Sequence, residues 1–276
     1  MTDTISINGQ ITTATEGILP ITSLEVTYGV GVYETIKVRN TVTYFIPQHI
    51  DRLLHSASCI GIAHTFTSNL ITTYLTEYID SLDAQSYNIK MILLAQKSEG
   101  AKLYIMSLAP QYPKKQWYRD GVSVIPYTYE RWMPQAKSLN MLPSYFYYKK
   151  AKERGAYDAL FIDKHGNIHE GSRTNVFVLK EDQIISPPKK DILEGVTLMS
   201  LEQVLKKNGM HITYQPISYR TLFSYDGMIL TSTSTKVMPV KIVGNQSFPV
   251  LYKRIYEIQT LYKKALAQCN GDFNLI

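Results

Sequence analysis

The chain has 276 residues, with 29 Lys and Arg against 23 Asp and Glu and 45% apolar residues, enough to bury a core in one large or two modest domains. Charged residues make up only 19%, and no Pro, Gly, Ser or Gln tract interrupts the chain, which excludes a disordered scaffold. The net charge of +6 is spread out with no basic run, which argues against a nucleic-acid partner.

Ile5 and Ile7 precede Asn8-Gly9, and Ile11 follows, which predicts a β-hairpin. Tyr33 to Arg39, Asn40, and Thr41 to Phe45 predict a second one. The period then changes: Ile50, Leu53, Leu54, Ala57 and Ile60 share one helix face, and Ile71, Leu75, Tyr78, Ile79 and Leu82 share another. Asn88 to Ala95 and Leu103 to Leu108 read as strands. Residues 110–121 mix prolines, charge and glycine without periodicity and mark a domain boundary.

Beyond it come a strand at Val122 to Tyr127, a helix at Ser144 to Arg154, a strand at Tyr157 to Asp163 ending in the turn Lys164 to Asn167, and a strand at Asn175 to Leu179. A helix from Thr197 to Asn208, stopped by Gly209, a strand at Met228 to Thr231 and a helix from Val250 to Gln268 complete the chain. Hairpins and helices in blocks, without regular βαβ alternation, predict an α+β protein. Its expected parts are a small N-terminal domain over residues 1–112, a linker over 113–121 and a larger C-terminal domain over 122–276.

Cys59 and Cys269 are the only cysteines, too few and too far apart for a disulfide framework or a thiolate metal cluster, so reduced thiols are expected. The first ten residues lack a basic stretch followed by an apolar one, and no run of about 18 uncharged apolar residues occurs. A cytoplasmic protein with no membrane partner is the expectation. Gly29-Val-Gly31-Val-Tyr-Glu34 lacks the third glycine of a dinucleotide fingerprint and leads into a strand rather than a helix. With no His-Glu-x-x-His pair, no Cys/His set at metal spacing and no Gly-x-Ser-x-Gly elbow, neither a metal nor a serine nucleophile is expected.

Four segments remain: His49-Ile-Asp-Arg52-Leu, Lys137-Ser-Leu-Asn140, Glu170-Gly-Ser-Arg-Thr-Asn-Val-Phe177, and Leu193-Glu-Gly-Val-Thr197 taken together with Thr231-Ser-Thr-Ser-Thr-Lys-Val-Met-Pro-Val240. In this order they resemble the fold-type IV pyridoxal-phosphate enzymes, the class IV aminotransferase family of branched-chain aminotransferases, D-amino-acid aminotransferases and aminodeoxychorismate lyases. The resemblance runs from about Gly29 to Val240 and implies pyridoxal 5'-phosphate at the interface of two domains, in a homodimer. Such a cofactor needs a lysine amine, an acid at its ring nitrogen, and a cationic or helix-N-terminal cradle for its phosphate.

The resemblance assigns these parts residue by residue. Lys137 matches the Schiff-base lysine, carried by the larger domain, and Glu170 the acid that pairs with the ring nitrogen. Arg52, Val196, Thr197 and Thr233 match the phosphate ligands, with Thr174 as a further hydroxyl. Tyr33, Lys90 and Ser234 are the candidates for substrate binding, Lys90 because it aligns with an arginine that branched-chain relatives place on this strand. Alternation sets Lys90 on one face with Asn88 and Ile92 without saying which face serves the site.

The chain departs from the family pattern at Ser186, where a Thr is expected, at Leu198, where a Lys or Arg is expected, and at Val30. Amino transfer between an amino acid of branched-chain type and a 2-oxo acid is the leading expectation. The alternative is an aminodeoxychorismate lyase releasing pyruvate and 4-aminobenzoate. A non-catalytic relative is a third reading, opposed by intact Lys137 and Glu170. The Arg-x-His pair of D-specific relatives is absent between Met91 and Lys102.

Overall fold

The computed structural model describes residues 4–19, 21–96, 100–248 and 253–268; Cys269 and the expected helix start at Val250 lie outside them. Residues 4–111 with 136–140 form one compact unit, and 112–135 with 141–268 form a second.

The first unit is built on a six-stranded antiparallel sheet. Its elements are β1 (Thr4–Ile7), β2 (Gln10–Thr13), α1 (Leu24–Thr27), β3 (Gly31–Arg39), β4 (Val42–Thr43), α2 (Ile46–Cys59), α3 (Ser68–Asp80), β5 (Tyr87–Leu94) and β6 (Lys102–Leu108), with strand order β2-β1-β6-β5-β3-β4. Asn8 and Gly9 both take positive φ between the paired Ile7 and Gln10, the backbone of a two-residue hairpin turn. One face of the sheet, with Val32, Ile36, Ile89, Met91, Leu93, Leu103 and Ile105, packs on Ile50, Leu53 and Ala57 of α2 and on Ile71, Leu75 and Tyr78 of α3. Both helix stripes are those expected from the 3.6-residue period.

In the second unit the elements are α4 (Trp117–Asp120), β7 (Val122–Thr128), α5 (Leu142–Glu153), β8 (Asp158–Ile162), β9 (Asn167–Gly171), β10 (Asn175–Lys180), β11 (Gln183–Ser186), α6 (Val196–Lys207), β12 (Ile212–Tyr214), β13 (Ile217–Ser218), β14 (Gly227–Ser232), β15 (Lys236–Val243), β16 (Gln246–Ser247) and α7 (Lys253–Gln268). The strand path β10-β14-β15-β7-β8-β9 returns to its start, because Asn175 of β10 pairs with Glu170 of β9. Alternation along these strands makes two cores. Val176, Val178, Met228 and Leu230 join one cluster, while Phe177, Leu179 and Ile229 join another with Leu198, Leu201, Ile255, Ile258 and Tyr262 of the two helices α6 and α7. The parallel neighbours β7 and β8 are joined through α5, a crossover that the hairpin pattern did not predict.

Two further expectations change. The stretch 113–121 contains α4 and belongs to the second unit. Residue 137 was assigned to the larger domain, yet the segment 136–140 lies with the first unit. There Val32 forms a bridge with Ser138, Tyr33 N–H donates to Lys137 O at 3.0 Å and Leu139 N–H donates to Gly31 O at 2.8 Å. Gly31 makes that approach possible: a Cβ there would stand 2.7 Å from Leu139 Cδ1 and 2.9 Å from Leu93 O.

Candidate active site

β3 places Val32, Glu34 and Ile36 in the core row, and Glu34 has no exposure. A carboxylate in such a row requires donors. Arg52 supplies Nε to Oε1 at 2.6 Å and an Nη to Oε2 at 2.8 Å, and His49 supplies Nδ1 to Oε2 at 2.7 Å. The two side chains sit three residues apart on α2, hence on one face. Burial alone would raise the Glu34 carboxyl, but the Arg52 charge and the His49 contacts hold it far below the usual carboxylate range. His49 is pushed down by burial against the pull of Glu34, and toward a carboxylate its Nδ1 serves as the donor. Its Nε2 is buried with no hydrogen-bond partner among the described residues. Sequence reading linked Arg52 only to phosphate; its pairing with Glu34 was not identified, although a lone acid in an apolar strand row was the available signal.

Lys137 is half-buried, and its backbone N–H donates to Ser56 Oγ of α2 at 3.0 Å. Its Nζ lies 4.5 Å from the centroid of the Tyr33 ring, and Lys90 Nζ lies 5.3 Å from the same centroid. Tyr33 and Lys90 occupy the sheet face opposite Glu34, with Thr35 paired to Lys90 across the strands. The face left open by alternation is therefore the one that carries Lys137. Tyr33, Lys90 and Lys137 meet around one aromatic ring.

In the second unit Glu170 ends up in β9, a strand that the sequence did not announce because Asn167-Ile-His-Glu-Gly171 has a single apolar residue. The residue is 4% exposed. Oε1 accepts from Arg131 Nη1 at 3.1 Å and Oε2 from Leu193 N–H at 3.2 Å. Arg131, six residues before Lys137, escaped the sequence reading, which had no motif for it. Asn175 Nδ2 donates to Leu193 O at 2.7 Å, and a Cβ on Gly195 would collide with Asn175 Oδ1. The chain at 193–195 is thereby fixed against β10, and Gly195 opens the twelve-residue α6 with Val196 and Thr197 buried in its first turn. Free N–H groups and the helix dipole there favour an anion.

Thr174, the further hydroxyl candidate, lies immediately before β10 and beside Asp158. The residue is 4% exposed, and its hydroxyl donates to Asp158 Oδ2 at 2.9 Å, which engages its one O–H with a carboxylate. Ser172 Oγ and Ala159 N–H also donate to Asp158. Burial pushes the Asp158 carboxyl up, opposed by Arg173 and by these hydrogen bonds. Thr233 and Ser234 form the half-buried turn between β14 and β15. Leu198 is fully buried in the apolar cluster under α6 and α7, a place where a cation would be unsupported, and Ser186 is likewise fully buried. For Val30 the structure offers no explanation.

Tyr33, Arg52, Lys90 and Lys137 thus belong to the first unit, and Glu170, Thr174, Val196, Thr197, Thr233 and Ser234 to the second. Their types make an amine next to an aromatic ring, a buried acid held by arginine, and an anion-binding helix start.

The chain is 29% identical over 254 residues to a D-alanine aminotransferase of Bacillus licheniformis, covering 88% of this chain and 89% of that one. It is 22% identical over 238 residues to a branched-chain-amino-acid aminotransferase of Pseudomonas aeruginosa, covering 79% and 78%. Its fold matches the branched-chain aminotransferase of the thermophilic archaeon Thermoproteus uzoniensis solved with norvaline, at a TM-score of 0.87, 20% identity and coverage of 98% and 96%. The α+β architecture is that of fold type IV. The amino-transferase class IV model matches residues 31–243, a span that begins at the glycine on which the lysine segment packs and takes in Lys137, Glu170 and the turn at 233–234; the chain belongs to that family and is an aminotransferase.

Proposed function

We propose that the chain uses pyridoxal 5'-phosphate to move an amino group between an amino acid of branched-chain type and a 2-oxo acid, as a cytoplasmic homodimer. The observation that carries this reading is the grouping of Lys137 and Lys90 on the Tyr33 ring: an amine for chemistry beside a second cation suited to a carboxylate. The donor set fits the cofactor, since Lys137 offers an amine, Glu170 a buried anion, and Gly195 to Thr197 a helix start for phosphate. When bound, pyridoxal phosphate supplies the carbonyl that takes the amino group and a ring that withdraws electrons from the substrate Cα.

The residues of the chain do the rest. Lys137 Nζ would take the proton from the substrate Cα as base and, as acid, deliver it to the cofactor carbon that receives the amino group. Glu170 holds a proton at the ring nitrogen and is itself held by Arg131 and Leu193 N–H. In the second unit the N–H groups of Val196 and Thr197 and the hydroxyls of Thr197 and Thr233 would hold the phosphate, and in the first unit Arg52 is the candidate cation for it. Tyr33 and Lys90 of the first unit, and Ser234 of the second, are the candidates for orienting the substrate. The named relatives are transaminases, which favours amino transfer over the lyase outcome. Exposed apolar side chains support a dimer: Leu142, Tyr145 and Phe146 share one side of α5, and Trp132 is 74% exposed.

Identity favours D-alanine as a second substrate reading, and the missing Arg-x-His pair opposes it. Incubation with L- and D-amino acids plus 2-oxoglutarate, and separately with aminodeoxychorismate, decides between them. Selective turnover of L-leucine, L-isoleucine and L-valine is expected; preference for D-alanine, or release of 4-aminobenzoate, overturns the substrate assignment. Sedimentation of the holoenzyme at monomer mass overturns the dimer.

A further inference from the structure

Arg173 stands in the turn between β9 and β10, three residues after Glu170, and neither the phosphate nor the ring-nitrogen role needs it. Its neighbour Thr174 points inward to Asp158, while Arg173 is exposed. The guanidinium carbon lies 4.2 Å from the centroid of the Tyr148 ring on α5 and 5.3 Å from that of Tyr157. Tyr157 OH in turn shares a 2.8 Å hydrogen bond with Thr235 Oγ1, directly after Thr233 and Ser234. Two routes, the covalent one from Glu170 and the packed one through Tyr157 and Thr235, therefore link this guanidinium to the segments that carry Glu170 and the turn at Thr233 and Ser234.

Contact through an aromatic face orients a guanidinium without spending its five in-plane N–H donors. Among the described residues none of those donors is matched to a carboxylate or carbonyl at hydrogen-bond distance. The nearby acid, Asp158, is fully buried, and its oxygens accept from Ser172, Thr174 and Ala159 instead. The result is a pre-oriented fork whose planar geometry matches a carboxylate.

We propose that Arg173 is a specificity-determining residue that receives a carboxylate of the amino-acid or oxo-acid substrate. The reading rests on the amino-transfer assignment above and adds a recognition group that the family signature does not assign. Arg173 sits in the same unit as Ser234, whereas Lys90 belongs to the other, so its contribution is separable by mutation.

Holoenzyme carrying Arg173→Gln or Arg173→Met, the latter keeping a long stem on Tyr148, is assayed with pyruvate and with 2-oxoglutarate as amino acceptors. Glutarate, which has neither carbonyl nor amine to react, is titrated calorimetrically into the same proteins. Loss of a hydrogen-bonded charge contact predicts a roughly 10- to 100-fold rise in KM, with kcat changed much less and a matching loss of glutarate affinity. A rise for both acceptors assigns the contact to the carboxylate next to the carbonyl, and a rise for 2-oxoglutarate alone assigns it to the distal one. Wild-type KM values and wild-type glutarate affinity in both variants overturn the proposal. A wild-type enzyme without turnover on either acceptor would instead remove the amino-transfer reading, and glutarate binding alone would then decide the role of Arg173.

Discussion

Arg52 and Glu34 face each other through two hydrogen bonds of 2.6 and 2.8 Å, with Glu34 fully buried and Arg52 9% exposed. The arginine that the family resemblance links to phosphate therefore also neutralises an acid inside the first unit. These two duties are separable: one concerns the cofactor-free protein and the other its ligand.

Arg52→Met leaves the Glu34 carboxylate buried and unmatched by its strongest partner. Urea unfolding of cofactor-free protein should show a loss of roughly 3–5 kcal/mol, the scale for removing one partner of a buried ion pair. Glu34→Gln in the same background should restore part of it. A cofactor-free variant as stable as wild type would leave Arg52 with a ligand role alone.

Lys137 is the one lysine expected to bond covalently to pyridoxal phosphate. Borohydride reduction followed by peptide mapping should label Lys137, and Lys137→Ala should lose both label and turnover. A label on Lys90, its neighbour on the Tyr33 ring, would reverse the roles of the two residues.

Glu170→Ala should retain cofactor and lose turnover by roughly 10²–10³-fold, the scale for one preorganised electrostatic group in an active site. Arg131→Gln should produce a smaller loss in the same direction, because it removes one of the donors that orient the carboxylate. Rates equal to wild type in Glu170→Ala would make Glu170 a strand residue without chemical duty.

Thr174→Val should behave as a stability variant. Its hydroxyl serves Asp158, so the expected cost is about 1.5–3 kcal/mol in urea unfolding, as for a hydrogen bond to a charged group, with cofactor retention in dialysis unchanged. Faster loss of pyridoxal phosphate without a stability change would place Thr174 at the phosphate site.

Asp158 predicts a pH signature. Because burial raises its carboxyl in the folded state, the folded protein binds more protons than the unfolded chain between the two pKa values. Stability therefore falls as pH rises through that window. Its contribution is complete below the unfolded carboxyl pKa and is lost once pH passes the raised folded value. Wild type should lose stability relative to Asp158→Asn on going from acidic to neutral pH. A pH-independent difference between the two would show that Asp158 titrates normally.

The sequence by itself determined what depends on residues close in the chain. Asn8-Gly9 announces its turn because both positions adopt positive φ, and the stripes of α2 and α3 follow from one helical period. Lys137-Ser-Leu-Asn140 and the Glu170 to Phe177 signature are contiguous and identify the family without any fold. β9 and β15 were not legible, one having too few apolar residues to alternate and the other carrying Pro239, which weighs against a strand. Only the tertiary structure decided that Glu34 claims Arg52, that Arg131 claims Glu170 across 39 residues, that Thr174 turns inward to Asp158, and that residues 136–140 lie along β3 of the first unit. The physical reason is common to all four. A buried polar group must find its partner wherever the chain folds back on it, and local periodicity carries no record of that partner.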